Sequence, residues 1–152
     1  MRDSSRSNFD RNLAVFIGIN NYPNGIYKLS TAVNDATALA NILETEYQYQ
    51  EVIRLFPPHG EATVENLKEL LSVTLPNQIK PTEGDRLIFY FAGYGIARNS
   101  EDGPAGYFIT QVAQLWKLET FLPMRDLNTA LSQLECHHLL VMLDYWYAGK
   151  NC

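Results

Sequence analysis

Three short stretches hold the side chains best suited to chemistry. "LIFYFAGYG" (residues 87–95) breaks from an apolar run into small residues and holds Tyr94 between two glycines. "LDYWYAGKN" (residues 143–151) follows a second apolar run with Asp144 and the aromatic residues Tyr145, Trp146 and Tyr147. "LECHHLL" (residues 134–140) sets the thiol of Cys136 beside the imidazoles of His137 and His138. A thiolate activated by a neighbouring imidazole is a nucleophile for acyl transfer, and the imidazole then protonates the leaving amine. Imidazole suits that task because its pKa of about 6.5 lies near operating pH. A phenol does not. With a pKa near 10, roughly one tyrosine in a thousand is ionised at pH 7. The indole N–H of Trp146 is a donor only and has no nucleophilic lone pair.

The elements that must position these residues follow from the apolar pattern. Leu13–Ile19, Glu51–Phe56, Arg86–Ala92 and His138–Asp144 are dense in aliphatic and aromatic residues. The first, third and fourth are apolar almost throughout, as strands covered on both faces are. Between them lie helical patterns. Asn34–Tyr47 spaces Ala36, Leu39, Ala40 and Leu43 at helical intervals, and Val64–Leu75 does the same with Val64, Leu67, Leu70 and Leu71 behind Thr63 as N-cap. A third helix is expected from Pro123, with Leu127, Ala130, Leu131 and Leu134 on one face. Strands alternating with helices imply one open α/β domain with a mostly parallel sheet of about four main strands. In the insert 99–121, "GYFIT" and "ETFLP" are expected to pair as a small side ribbon.

In such a sheet, ligands and catalytic groups collect beyond the carboxyl ends of the strands. There lie "GINNYPNG", "FAGYGIARN" and "LDYWYAGKN", with Asp35 in the "VNDA" that opens the first helix. Cys136 and His137 fall at the opposite end of the fourth strand, roughly 20 Å away at strand rise. Consecutive residues there also point to alternate faces, which disfavours a working dyad. His59, in "FPPHGE", reads as an exposed loop residue. The fourth strand is expected to leave an uncovered sheet edge, a feature that proteins usually pair or blunt. The chain is therefore read as a fragment, an early-terminated gene, or a unit that completes its sheet with a partner.

The totals narrow the classes. The 152 residues carry a formal charge of −5, and 46% are hydrophobic, as in one globular domain with a real core. Lys and Arg occur in no cluster beyond isolated pairs, which argues against nucleic acid or an anionic membrane as main partner. No apolar stretch approaches the roughly 20 residues that span a bilayer. The N-terminus lacks the apolar region of a secretory signal. The two cysteines, Cys136 and Cys152, form no disulfide framework. A cytoplasmic setting is expected. No set of residues has metal-ligand spacing, and no cofactor is expected.

The blocks "LAVFIGINNY…LSTAVNDATALANIL", "DRLIFYFAGYG", "GYFITQVA…FLPMRDLNTAL" and "HHLLVMLDYWYAG" resemble, in order and spacing, the large-subunit half of caspase-like cysteine peptidases. The closest pattern is that of metacaspases and prokaryotic orthocaspases, and it covers Leu13 to Gly149. The resemblance implies the three-layer caspase-like α/β fold. It also implies a single p20-like domain over residues 1–152, with a polar tail over 1–10 and without the distal p10-like strands. In that family the loop after the third strand presents the catalytic His between glycines, and the loop after the fourth carries the nucleophilic Cys after Asp-Cys. Laid on this sequence, the base position is Tyr94, the nucleophile position is Trp146, and Tyr145 stands for the preceding Cys. Both members of the dyad are replaced.

The resemblance further implies a pocket for Arg or Lys side chains, whose carboxylates match Asp35 and Asp144. Two carboxylates around a guanidinium make charge-assisted bonds. Each has a plainer role open to it: Asp35 as favourable charge at a helix N-terminus, worth about 0.3–1 kcal/mol, and Asp144 as acceptor from loop amides. Calcium regulation is a family property as well, but Glu101 and Asp102 alone give too little carboxylate density for a hard-cation site. The expected function is that of a proteolytically inactive pseudo-peptidase, binding a protein or peptide as regulator or scaffold. An active homologue, or self-association through the sheet edge, would supply the partner. Tyr94, Trp146 and Tyr145 or Tyr147 then either plug the cleft with packed rings or merely fit after loss of activity. The alternative is an active cysteine endopeptidase using a displaced nucleophile, Cys136 or Cys152. A generic ligand-binding module ranks below both, since "GINNYPNG" is no phosphate-binding fingerprint.

Overall fold

The computed structural model describes residues 8–23 and 25–148. Gly149, Cys152, Asn24 and most of the N-terminal tail lie outside that range. Strand β1 (Asn12–Gly18) pairs in parallel with β2 (Glu51–Leu55) on one side and with β3 (Arg86–Ser100) on the other. The far side of β3 is taken by β6 (His138–Tyr147), also parallel. Past the end of β1, β3 continues and pairs antiparallel with β4 (Gly103–Ile109), which in turn pairs with β5 (Phe121–Pro123). The expected α/β architecture with a mostly parallel sheet is present, and so is the ribbon between "GYFIT" and "ETFLP".

The sheet is covered on both faces, as the continuous apolar runs require. Alternation along a strand sends odd and even residues to opposite sides. One face buries Leu13, Val15, Ile17, Phe89 and Phe91 against helix α2 (Val64–Glu69), the helical run that follows it, and α3 (Met124–Ser132). The other buries Ala14, Phe16, Tyr90 and Ala92 against Ala32, Ala36 and Ala40 of α1 (Ala32–Thr45). The alanine stripe brings α1 so close that a Cβ on Gly18 would lie 3.1 Å from the Ala36 methyl and from the Ala32 carbonyl oxygen. Each fully buried Phe or Leu contributes roughly 1.5–3 kcal/mol through removal from water.

The helix ends are fixed by side chains. Thr63 Oγ1 accepts from the Asn66 amide at 3.1 Å, as the N-cap reading of α2 requires. Helix α1 is capped from a distance: Asn20 Oδ1, in the loop after β1, accepts from the Val33 amide at 3.0 Å. Beyond Glu69, α2 does not continue as an α-helix to Leu75. It widens into a π-helical run, Leu70–Ile79, that contains Pro76 and ends at Lys80 in the left-handed region. Proline has no amide to donate and its ring collides with an α-helical carbonyl, so regular α geometry cannot pass through it.

At the amino end of the sheet, Arg11 and Asp85 form a staple. Arg11 Nη2 lies 2.8 Å from Asp85 Oδ2 and also donates to the carbonyls of Ile79 and Lys80. The amide and hydroxyl of Thr82 donate to the same carboxylate.

Two strand ends differ from expectation. β3 does not stop at Ala92 but runs on through the glycines to Ser100, and β6 continues past Asp144 to Tyr147. The glycines at 93 and 95 are not turn residues; among the described glycines only Gly25 and Gly103 have positive φ. They are needed for space. A Cβ on Gly93 would lie 2.5 Å from the Tyr22 hydroxyl, and one on Gly95 would lie 2.7 Å from the Tyr145 ring.

Candidate functional site at the carboxyl end of the sheet

The β3–β6 register sets Tyr94 directly beside Trp146, Gly93 beside Tyr145 and Ala92 beside Asp144. By alternation Tyr90, Tyr94, Asp144 and Trp146 share one face. The Tyr94 amide donates to the Tyr22 hydroxyl at 2.8 Å, and the two rings sit 5.0 Å apart at 60°. Tyr94 is half-buried and packs with Ile26, Ile96, Ile109 and Phe121 below the ribbon. Burial pushes the Tyr22 phenol above its ordinary range, only partly offset by the donated Tyr94 amide. Tyr22→Phe should cost about 1–3 kcal/mol, because it strands that amide donor without its acceptor. Chemical denaturation of the two proteins checks the figure.

The other aromatic residues divide between the two faces. Tyr145 turns to the opposite face, where its ring and Met124 lie over Gly95. Trp146 remains 39% exposed and Tyr147 64%. The rings therefore form no single block. The strands themselves stay together: the ladder continues through Gly95 and Tyr147, and the Ala148 amide donates to the Gly95 carbonyl at 2.8 Å.

Asp35 lies in the first turn of α1, and Asp144 on β6 beside Ala92 of β3. Tyr90 of β3, a buried residue, donates its hydroxyl to Asp144 Oδ2 across a long 3.4 Å. Its pKa is pushed up to about 12, first by burial and then by the charges of Asp144 and Asp35. Both carboxylates are thus near enough to act on one hydroxyl. A cavity of about 190 Å³ close by is lined by Gly18, Asn20, Asn21, Val33, Pro57 and Gln111, and by neither carboxylate.

Cys136 stands elsewhere. It is buried, with Sγ 3.4 Å from the carbonyls of Asp85 and His138, and burial raises its thiol pKa. It precedes the first β3–β6 pair, Arg86 with His138. From there to Tyr94 and Trp146 is roughly 25 Å at strand rise. The structure does not bring Cys136 or His137 to the carboxyl edge.

The profile of the caspase domain matches residues 11–143. The chain belongs to the caspase domain family. The match spans Asp35 and Tyr94 and ends one residue before Asp144. A search of curated proteins finds no significant match. Among solved structures, a protein from Geobacter sulfurreducens superposes with a TM-score of 0.68 at 18% identity, over 92% of this chain and 52% of its own. At that identity the likeness concerns the fold, and the chain spans about half the length of that protein.

In this caspase domain three residues at the carboxyl edge escaped the sequence reading. Asn20 caps α1 across the loop, Tyr22 holds the amide of residue 94, and the Tyr90 hydroxyl donates to Asp144. Asn20 had no clear signal, because Ser30 and Thr31 stand directly before the helix as nearer caps, yet Thr31 makes no side-chain cap bond. Tyr22 and Tyr90 had none, because their roles depend on contacts across 72 and 54 residues of chain.

Proposed function

We propose that this caspase domain is proteolytically inactive and works by binding, as a regulatory or scaffolding partner. The carrying observation is the pair Tyr94 and Trp146, side by side in an unbroken parallel ladder. Phenol and indole occupy the positions that the family pattern gives to base and nucleophile. Neither can supply a thiolate or an imidazole. A cleft at a sheet edge also needs the strand ends to part, and here they remain paired beyond the dyad positions. The buried, unactivated thiol of Cys136 supports the same reading.

Asp35 and Asp144 are assigned to a basic side chain of the bound protein or peptide, with Tyr90 as the floor between them. A guanidinium could bridge the two carboxylates. The outer edge of β6 is the place for a protein partner, either an active homologue or strands of the p10 type that extend the sheet. A cytoplasmic location fits the scarcity of cysteine.

The test is hydrolysis of fluorogenic peptides ending in Arg, Lys or Asp, with and without a thiol alkylator. No cleavage of any of the three is expected. Thiol-sensitive cleavage would overturn the reading in favour of a displaced nucleophile at Cys136 or Cys152.

A further inference from the structure

The segment between β4 and β5 holds a tryptophan out from the surface on a braced turn. Gln114 and Lys117 pair across the turn, and the Lys117 amide donates to the Gln114 carbonyl at 2.9 Å. Thr120 locks its base: Oγ1 accepts from the Gln114 amide at 2.8 Å and donates to the Lys117 carbonyl at 2.6 Å. Of the two tip residues, Leu115 turns inward beside Gly25, against the cluster of Ile26 and Phe121. Trp116 stands outward at 78% exposure, and Leu118 is exposed as well. Tryptophan is a frequent anchor of protein interfaces, and one held on a rigid turn loses little freedom on binding. The complementary kind of surface lies between α3 and the helical run that follows α2. A groove of about 470 Å³ there has Leu71, Leu122 and Ala130 among its walls, with the exposed Lys68 and Asp126 as its charged members. The ion pairs among the described residues are Arg11–Asp85 and Arg54–Glu44, so Lys68, Asp126, Lys117 and Glu119 are all unpaired there.

We propose that Trp116 of one copy of the chain enters this groove on a second copy, which returns its own Trp116 in exchange. Each surface has an apolar centre flanked by one cation and one anion: Trp116 by Lys117 and Glu119, the groove by Lys68 and Asp126. Seated with Lys117 toward Asp126 and Glu119 toward Lys68, the charges meet in opposite sign. The reverse seating sets like charges together, so the pairs fix the orientation. The groove has room for an indole ring, and burying one removes about 150–250 Å² from water. Trp116 does not fill the groove of its own chain, since it stays exposed. A two-fold axis makes the exchange reciprocal, so every contact occurs twice and the assembly closes at two copies. The inference goes beyond the binding role proposed above: it uses neither Asp35 and Asp144 nor the surroundings of Tyr94.

Sedimentation of the 152-residue chain in reducing buffer should show a concentration-dependent dimer. Trp116→Ala removes the projecting ring, and Thr129→Arg, at an exposed position of α3, fills the groove. Each alone should raise the dimer dissociation constant at least ~100-fold, because each spoils both contacts of the pair. Mixed together, the two variants should associate at least ~10-fold more tightly than either does alone. The Thr129→Arg chain still offers its Trp116, and the Trp116→Ala chain still offers an open groove. Tyr27→Ala removes an equally exposed ring from outside the turn and should change the constant by no more than about twofold. A monomer at every concentration, a dimer indifferent to either variant, equal weakening by Tyr27→Ala, or a mixture no tighter than its components would overturn the proposal. Peptide hydrolysis by such a dimer would sink the inactive-enzyme reading and leave this exchange standing. A silent monomer would do the reverse.

Discussion

Tyr94→His combined with Trp146→Cys is expected to leave peptide hydrolysis below a kcat/KM of ~10² M⁻¹s⁻¹, about a hundredfold under the ordinary enzymatic floor of ~10⁴. The substitutions return an imidazole and a thiol to neighbouring positions on one face. A well-placed base contributes about 10²–10⁴-fold, but a displacement of about 1 Å can remove a hundredfold of that. The strand ends on either side stay zipped through Gly95 and Tyr147, and the Tyr22 hydroxyl holds the amide of residue 94 from beside Gly93. The new pair would thus have correct chemistry in a closed ladder without an open cleft. Fluorogenic Arg and Lys peptides provide the assay. Turnover in the ordinary enzymatic range would mean that the ladder opens readily and that residue type alone had silenced the chain.

Asp85→Ala should destabilise the fold by about 3 kcal/mol, near the low end for breaking a buried ion pair. For a domain of this size that lowers Tm by about 10 °C. Asp85 is 1% exposed, so the whole staple turns on it. The Arg11 side chain, at 36%, can turn its guanidinium to water once its partner is gone, which keeps the cost from running higher. Burial by itself would raise the Asp85 pKa, but the bonds from Arg11 and Thr82 outweigh it and hold the carboxyl below its ordinary range. The sign follows from linkage. A depressed carboxylate pKa contributes stability above the unfolded value near 4, and that contribution fades as pH falls through the lower folded value. The gap between wild type and variant should therefore be full at pH 7 and narrow below about pH 4. Thermal melts across that range measure it, and a pH-independent gap would show that packing rather than charge makes the staple.

Much of the fold was legible because its signals are local. The apolar runs of β1, β3 and β6, the leucine spacing of α2 and the Thr63 cap all declare themselves within a few residues. The continuation of β3 was not legible. "GYGIARN" reads as a turn because glycine usually marks backbone freedom, whereas here it marks the close approach of Tyr22 and Tyr145. Nothing near Gly93 in sequence could say so. The widening of α2 into a π-helical run was hidden for a similar reason, since the leucine period stays intact while Pro76 disturbs only the backbone bonds. At the candidate site, Tyr94 and Trp146 came from the family pattern, and their adjacency is now given by the strand register. Tyr90 looked like an ordinary core residue, and only the placement of α1 and β6 around it gives its hydroxyl two carboxylates to answer to.

The length of β3 has a consequence for how the molecule moves. This one strand, roughly 50 Å long at strand rise, is shared by the main sheet and the ribbon, with partners on both sides over about half of its course. Enzyme lids and gates are drawn from segments that open locally at little free-energy cost. Tyr94 sits instead between the end of the β1 pairing at Ala92 and the start of the β4 pairing at Gly95, held by β6 and by the Tyr22 hydroxyl. The position that the family gives to a working base has here become part of the keel.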